Sequence, residues 1–409
     1  MAECPGMVRL AAMADGGLAR LRAPGGALTV AQLRAVADAA ERLGSGVVDL
    51  TNRANLQIRG LALDAGPALV AALEHTGFQF HGEADRRRNI LLDPFAGLDP
   101  LEIRDLRPLA LALDDALVTA PWIALLSPKF SFVLDGGGEC RVGAAPSDVT
   151  VVAVEEGVAL YVGGRLLGVF GERETLHALL ALAAAAAAIG PDARSKDIPV
   201  ETLGAIAKQD VRVAELYPLS PRYGAVATRE VGRSALSLPA PVGRLDPVML
   251  RFLACVAEAD GNGEVRLAPW SAVVVPDVAA GRADAVLAAA ETAGFTPVAV
   301  ARRLEVAACS GAGCCDRARE PAKKLAAEVL ALAARDFERL PEAPARLHLS
   351  ACAKGCAGST PADFLLLGDS VRDGWGLHRH GAPRRPGPEL RRLDGPSAAD
   401  ILALLGDRD

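Results

Sequence analysis

Aromatic residues are scarce in this 409-residue chain, 4% of the total, so its 51% apolar content comes mainly from Ala, Leu and Val, the composition of a globular protein large enough for two or three cores. An excess of basic charge is also missing. With a formal net charge of −6, no global field draws the chain to nucleic acid or to an anionic membrane, and any anionic ligand must meet local arginines and lysines. Long apolar runs are absent too: the most apolar stretch, "LLALAAAAAAIG" at 179–190, is too short to span a bilayer and reads as an Ala-rich helix. The N-terminal "MAECPGMVRLAAMADGG" lacks the unbroken apolar core of a signal peptide, which gives the expectation of a cytoplasmic protein. No G-x-G-x-x-G follows a predicted strand, and "YVGGRLLG" at 161–168 reads as a glycine hairpin instead.

What the chain does have is cysteine in one place. Of eight, Cys4, Cys140 and Cys255 are scattered, whereas Cys309, Cys314, Cys315, Cys352 and Cys356 cluster. In a reducing compartment such a cluster points to metal or redox chemistry rather than to disulfides. Cys309 and Cys315 form a C-x5-C pair in "CSGAGCC", and Cys352 and Cys356 a C-x3-C pair in "SACAKGCAGS". Four thiolates from two glycine-rich loops suit a [4Fe–4S] cube. Structural zinc, whose thiols sit closer together on knuckles, and ordinary buried cysteines are the alternatives. Cys314 is a possible substitute for Cys315.

The chain repeats itself. Adding 217 to each position carries "LTVAQLRAVADAAERLGSGVVDL" from residue 28 onto "LDPVMLRFLACVAEADGNGEVRL" from residue 245 without a gap, and "LVAALEHTGF" onto "VLAAAETAGF". Each copy has helical and then strand-like apolar spacing. The pattern predicts an α+β protein of α/β sandwich units in two pseudo-twofold-related half-repeats, which the family resemblance given below implies are each a ferredoxin-like unit and a larger α/β unit. The expected divisions are a ferredoxin-like half-repeat at 1–80, an α/β cavity unit at 81–190, a Pro-rich linker at 191–243, a second ferredoxin-like half-repeat at 244–300 and a cluster-bearing α/β unit at 301–409.

The first half supplies polar groups where the second supplies cysteines: "RLRAPGG" (20–26), "TNRANLQIRG" (51–60), "DRRRNILLDP" (85–94) and "SPKFSF" (127–132). On a strand, Arg53, Asn55 and Gln57 share one face. Arginine's planar fork suits carboxylates, so Arg22, Arg53, Arg86 and Arg88 fit a ligand bearing several of them. The "HRH" of residues 378–380 lies in an Arg/Pro/Gly-rich tail and reads as a solvated loop.

With "RLRAPGG", "TNRANLQ", "RRNIL", "PKF", C-x5-C and C-x3-C in this order, the chain resembles the sulfite and nitrite reductase superfamily over most of its length. That resemblance implies that the half-repeats cradle a tetrapyrrole and that Cys309, Cys315, Cys352 and Cys356 ligate a [4Fe–4S] cluster. Sirohaem would then sit beside the last cysteine in an anion reductase. It also implies a tetrapyrrole or substrate cavity lined by Arg22, Arg53, Gln57, Arg88 and Lys129, with Asn55, Arg86, Asn89 and Lys354 as further candidates. Sulfite reductases carry a second lysine two residues after the one at Lys129, where this chain has Ser131. Within the superfamily, "GVVDLTNRANLQIRG" and "HLSACAKGCA" are most similar to the precorrin-3B synthases. That subfamily resemblance implies an O2-dependent hydroxylation of precorrin-3A at C20 with γ-lactone formation, a mononuclear non-haem iron, and electrons from a separate NADH-dependent reductase or ferredoxin. Six histidines, His75, His81, His177, His348, His378 and His380, form no facial triad by spacing.

Overall fold

A computed structural model describes residues 4–78, 80–208, 216–369 and 371–406. Four five-stranded sheets organise the described residues. The first runs in the order Ala11–Met13, Gly16–Leu21, Leu56–Leu61, Val48–Leu50 and then Arg244–Leu245, a strand that belongs by sequence to the second half. The third sheet returns the exchange, its order being Gly224–Ala227, Arg233–Pro239, Ala272–Ala279, Glu264–Ala268 and then Ala27–Thr29 from the first half. Leu28 pairs with Val265, and Leu245 with Val48, so the 217-residue repeat carries one pairing onto the other.

Each exchanged strand feeds a helix. Thr29 caps Val30–Leu43 through a capping box with Gln32, and Asp246 caps Pro247–Ala259 by accepting from the Met249 N–H at 2.8 Å. Both helices bury the same stripe, Leu33, Val36, Ala37 and Ala40 in one and Leu250, Leu253, Ala254 and Ala257 in the other. They pack together, and the two ferredoxin-like units share one continuous core. Across this seam Arg34 meets Glu258 at 2.6 Å and Arg251 meets Glu41 at 2.5 Å, again related by the repeat.

The other two sheets are matched strand for strand. Ile90–Leu92, Phe132–Asp135 and Val149–Val154 are mutually parallel, followed by antiparallel Gly157–Val162 and Arg165–Phe170. Leu304–Ala308, Ala345–Ser350 and Ala362–Gly368 are likewise parallel, followed by antiparallel Trp375–Gly381 and Arg391–Leu393. Crossover helices Arg107–Thr119 and Ala322–Arg335 join the first two strands of each.

Three sequence expectations change. The stretch 191–243 contains the strands Gly224–Ala227 and Arg233–Pro239 of the third sheet, counterparts of the strands before residue 22. Its prolines mislead because Pro239 sits at the last position of its strand, paired with Ala272. The "HRH" tail is a sheet strand with His378 buried, its Nδ1 on the Pro388 carbonyl at 3.0 Å. Arg53 and Asn55 lie in a turn ahead of Leu56–Leu61, bent by Ala54 at φ +52°, and only Gln57 of the three is on the strand. The Ala-rich run does form a helix, Glu172–Ile189, and no described helix is long and apolar enough to cross a membrane.

Candidate functional site

The cysteines come from the ends of two adjacent parallel strands. Cys309 follows Leu304–Ala308, its N–H donating to the Leu349 carbonyl at 3.2 Å, and Cys352 and Cys356 occupy the turns after Ala345–Ser350. The Ala351 N–H donates to Cys309 Sγ at 3.2 Å. Gly311 is left-handed at φ +76°, and a Cβ there would strike the backbone nitrogen of Ala322, which begins the crossover helix. That glycine lets the loop press against the helix's positive end.

Burial pushes the Cys309 thiol up, with the Ala351 and Gly311 N–H groups opposing and the charges of Cys356 and Cys352 adding to the rise. Cys356 is pushed up by burial and by Cys352 and Cys315, against Lys354 and Arg384. Cys309, Cys315, Cys352 and Cys356 are thus linked by mutual electrostatics. The Cys314 carbonyl accepts from Arg59 Nη2 at 2.9 Å, and the Cys314 charge acts on Arg59. Among the described residues no three His, Cys, Asp or Glu groups converge on one point. A zinc ion would need its thiolates about 2.3 Å from a common centre. Four thiols, with the Ala351 and Gly311 peptide N–H groups on Cys309, have the donor chemistry of a cube of iron and sulfide.

Arg59, passed over in the sequence, is 1% exposed and ties this loop to the first half. Asp15 grips it at 2.7 and 2.9 Å, Ser310 Oγ lies at 3.5 Å, and Asp49 at 3.5 Å. Asp49 also takes Lys323 Nζ at 3.1 Å and Arg244 Nε at 2.9 Å. Burial pushes its carboxyl up, but Lys323, Arg244 and Arg59 outweigh that and hold it below the ordinary carboxylate range.

Gln57 shares a strand face with Arg59, two residues away. With its amide oxygen turned inward, it accepts from Arg20 Nε at 3.0 Å and Nη2 at 2.6 Å. Arg20, another residue the sequence reading missed, lies on the strand Gly16–Leu21, two residues before Arg22. Buried Arg22 donates to Asn89 Oδ1 at 3.1 Å and to the Arg86 carbonyl at 2.7 Å. Its pKa is pushed down to about 9 by burial first and then by Arg20. Burial also lowers Arg20 and Arg53, and Arg53 in turn presses on Arg20. Cys4 is within electrostatic reach of all three. None of them has an ion-pair partner within 4.0 Å among the described residues. Arg53, Asn89 and Ser131 line a small cleft, and the Ser131 hydroxyl is buried without a partner.

Other candidates are spent on the scaffold. Arg88 is bidentate with Asp114 at 2.7 and 2.6 Å, so its charge has a partner within the protein. Arg86 pairs with Glu83 at 3.1 Å. Asn89 donates to the Pro128 and Phe130 carbonyls at 3.0 and 2.9 Å, fixing the loop that exposes Lys129. Asn55 is buried and bonds the Arg53 carbonyl at 3.1 Å, shaping the turn. Lys354 is exposed in the C-x3-C turn.

The first α/β unit carries a thiol-poor copy of the cysteine site. Asp93 stands where Cys309 does, its N–H donating to the Leu134 carbonyl at the end of the adjacent strand. Asp99 and Asp135 accept the N–H groups of Glu139, Cys140, Gly137, Val142 and Gly143, so carboxylates organise this loop. A cleft of about 800 Å³ lies at the other end of the cysteine-bearing strands, near Glu305 and Arg346. Four of its charges are mutually paired, Arg222 with Glu139 and Arg346 with Glu305, and it lies away from the thiols.

Comparison with known proteins agrees with this architecture. The nitrite/sulfite reductase ferredoxin-like half domain matches residues 12–75 and 228–293, and the nitrite and sulphite reductase 4Fe-4S domain matches residues 83–182, the thiol-poor copy. A precorrin-3B synthase from Sinorhizobium sp is 30% identical over 98% of this chain and 87% of its own length. A ferredoxin–nitrite reductase from Synechococcus elongatus is 28% identical over 87% of this chain and 77% of its own. The solved structure of Mycobacterium tuberculosis NirA protein superimposes with a TM-score of 0.78 at 20% identity, covering 95% of this chain and 79% of that one, and shares its fold.

Proposed function

The chain belongs to the nitrite and sulfite reductase superfamily, and from that premise we propose that it is an O2-dependent monooxygenase that hydroxylates precorrin-3A at C20 with γ-lactone formation, yielding precorrin-3B. The supporting observation is the juxtaposition of three arginines without a salt bridge, Arg20, Arg22 and Arg53, with a four-thiol site, joined through the strand that carries Gln57 and Arg59. Buried Arg22 and half-buried Arg20 and Arg53 call for an anion, and a macrocycle fringed with acetates and propionates supplies several.

In this reading Cys309, Cys315, Cys352 and Cys356 hold a [4Fe–4S] cluster, which when bound supplies electrons one at a time. Arg20, Arg22 and Arg53 bind and orient the carboxylates, with exposed Lys129 and Lys354 at the rim. Gln57 holds Arg20 in place, and Asn89 does the same for Arg22. One oxygen atom enters the substrate, and the other leaves as water with two electrons and two protons. A separate NADH-dependent reductase or a ferredoxin supplies the electrons. The described residues offer no converging ligand set for a mononuclear non-haem iron, and no step is routed through one. Ser131 in place of a second lysine weakens a site for a small oxyanion.

The test is incubation of reduced, cluster-loaded protein with precorrin-3A under 18O2 and mass analysis. One labelled atom in a lactone product is expected, and an unchanged substrate mass refutes the reading. A sirohaem-dependent nitrite or sulfite reductase is the second reading, favoured by the 28% identity to the Synechococcus elongatus enzyme. Intense Soret absorbance in purified protein would select it. Zinc without iron or sulfide would select a non-catalytic, zinc-stabilised module.

A further inference from the structure

We propose that Arg384, carried by the turn between the last two strands of the cysteine-bearing sheet, raises the reduction potential of the iron–sulfur cluster by fixing a positive charge beside Cys356. The proposal rests on the cluster assignment above. The Pro- and Gly-rich segment after Gly381 folds back over the C-x3-C loop. Ala382 and Arg385 close its turn with backbone bonds of 3.2 and 2.8 Å. Pro383 sits on Gly355, 3.2 Å from where a Cβ would be, and Gly355 is left-handed at φ +65°. Arg384 Nε donates to the Lys354 carbonyl at 3.3 Å.

This contact anchors an exposed guanidinium on the C-x3-C turn, at the carbonyl two residues before Cys356. Arg384 has no ion-pair partner within 4.0 Å among the described residues, so its charge is not cancelled locally. A cube held by four thiolates carries net negative charge, and taking up one electron adds another. A fixed cation therefore favours the reduced form more than the oxidised one and moves the potential upward. Lys354 shares its loop with two ligands, but Arg384 arrives from 30 residues away. Its charge can be removed without altering the ligand loop's sequence.

The experiment is a potentiometric titration with dithionite, followed by EPR and visible bleaching, on anaerobically prepared full-length protein. Arg384→Gln should lower the midpoint and Arg384→Lys should largely retain it, with iron and sulfide content unchanged. An unmoved midpoint in a fully loaded Arg384→Gln protein overturns the proposal, whether or not precorrin-3A affinity falls with it. If Arg384→Gln loses iron, the wild-type midpoint is measured against salt: screening an exposed cation should lower it, and insensitivity to salt overturns the proposal. Absence of iron and sulfide from the wild type would instead refute the cluster assignment.

Discussion

Arg59 and Cys314 lie 255 residues apart and are joined by a hydrogen bond of 2.9 Å from the guanidinium to the carbonyl. That bond ties the Cys314 backbone to the first half, whereas Cys315 acts electrostatically on Cys356, which is the ground for proposing Cys315 as the ligand. Cys314→Ala should retain a full complement of iron and sulfide, whereas Cys315→Ala should lose the cluster or hold a degraded one. Iron and acid-labile sulfide determination decides, and equal losses in both variants would remove the distinction.

Arg53 and Arg88 should behave differently although both are arginines of the first half. Arg53→Ala removes a charge with no ion-pair partner, and a lost charge-assisted contact of about 1.5–3 kcal/mol would weaken carboxylated macrocycle binding by roughly 10- to 100-fold. Arg88→Ala leaves Asp114 buried and unpaired, which costs about 3–5 kcal/mol of stability. Binding titration and urea unfolding separate the two. A binding loss in Arg88→Ala without a change in stability would contradict the scaffold role.

Asp49→Ala strands Lys323, Arg244 and Arg59 around one buried position. Destabilisation of about 3–5 kcal/mol is expected, read as a lower urea midpoint at unchanged slope. Because the carboxyl's folded pKa lies below its unfolded value, its stabilisation is present above the unfolded pKa and is lost as pH falls through the folded one. A wild-type acid limb that persists unchanged in Asp49→Asn would assign the loss to other groups.

Asp93 gives the opposite slope. Burial raises its pKa to about 8, so its contribution is complete below the unfolded pKa near 4 and declines as pH rises through about 8. Glu102, raised by burial to about 7, acts in the same direction over a narrower range. Unfolding free energy of the wild type should fall between these limits, by up to about 1.4 kcal/mol per pH unit for each group, and Asp93→Asn should flatten the curve. An equal slope in that variant would exclude Asp93 as a source.

The half-repeats were legible because their signal is apolar spacing plus a capping residue, and both copies kept it: Leu33 with Leu250, Val36 with Leu253, Thr29 with Asp246. The cysteines could be read from the sequence only as spacing; the structure adds that they leave the ends of two adjacent parallel strands, and the four-thiol membership remains the proposal. Long-range pairing was not legible. Nothing near Arg88 in sequence announces Asp114, on a helix 26 residues later. Arg59 sits in the middle of an apolar strand, where its partners Asp15, Asp49 and Ser310 come from three separate segments. The exchanged strands Ala27–Thr29 and Arg244–Leu245 are too short for any periodicity.

Those two short strands determine how the molecule can come apart. Because each half lends the other the edge of its sheet in the same register, the polypeptide is equivalent to a strand-swapped homodimer whose subunits have been fused end to end. Cleaving the connection would leave complementary fragments, each with an open sheet edge that only the other fills. Fusion makes their reunion intramolecular, at an effective concentration no free dimer reaches in a cell. The basic and sulfur-bearing faces were thus free to diverge while the seam between them stayed symmetric.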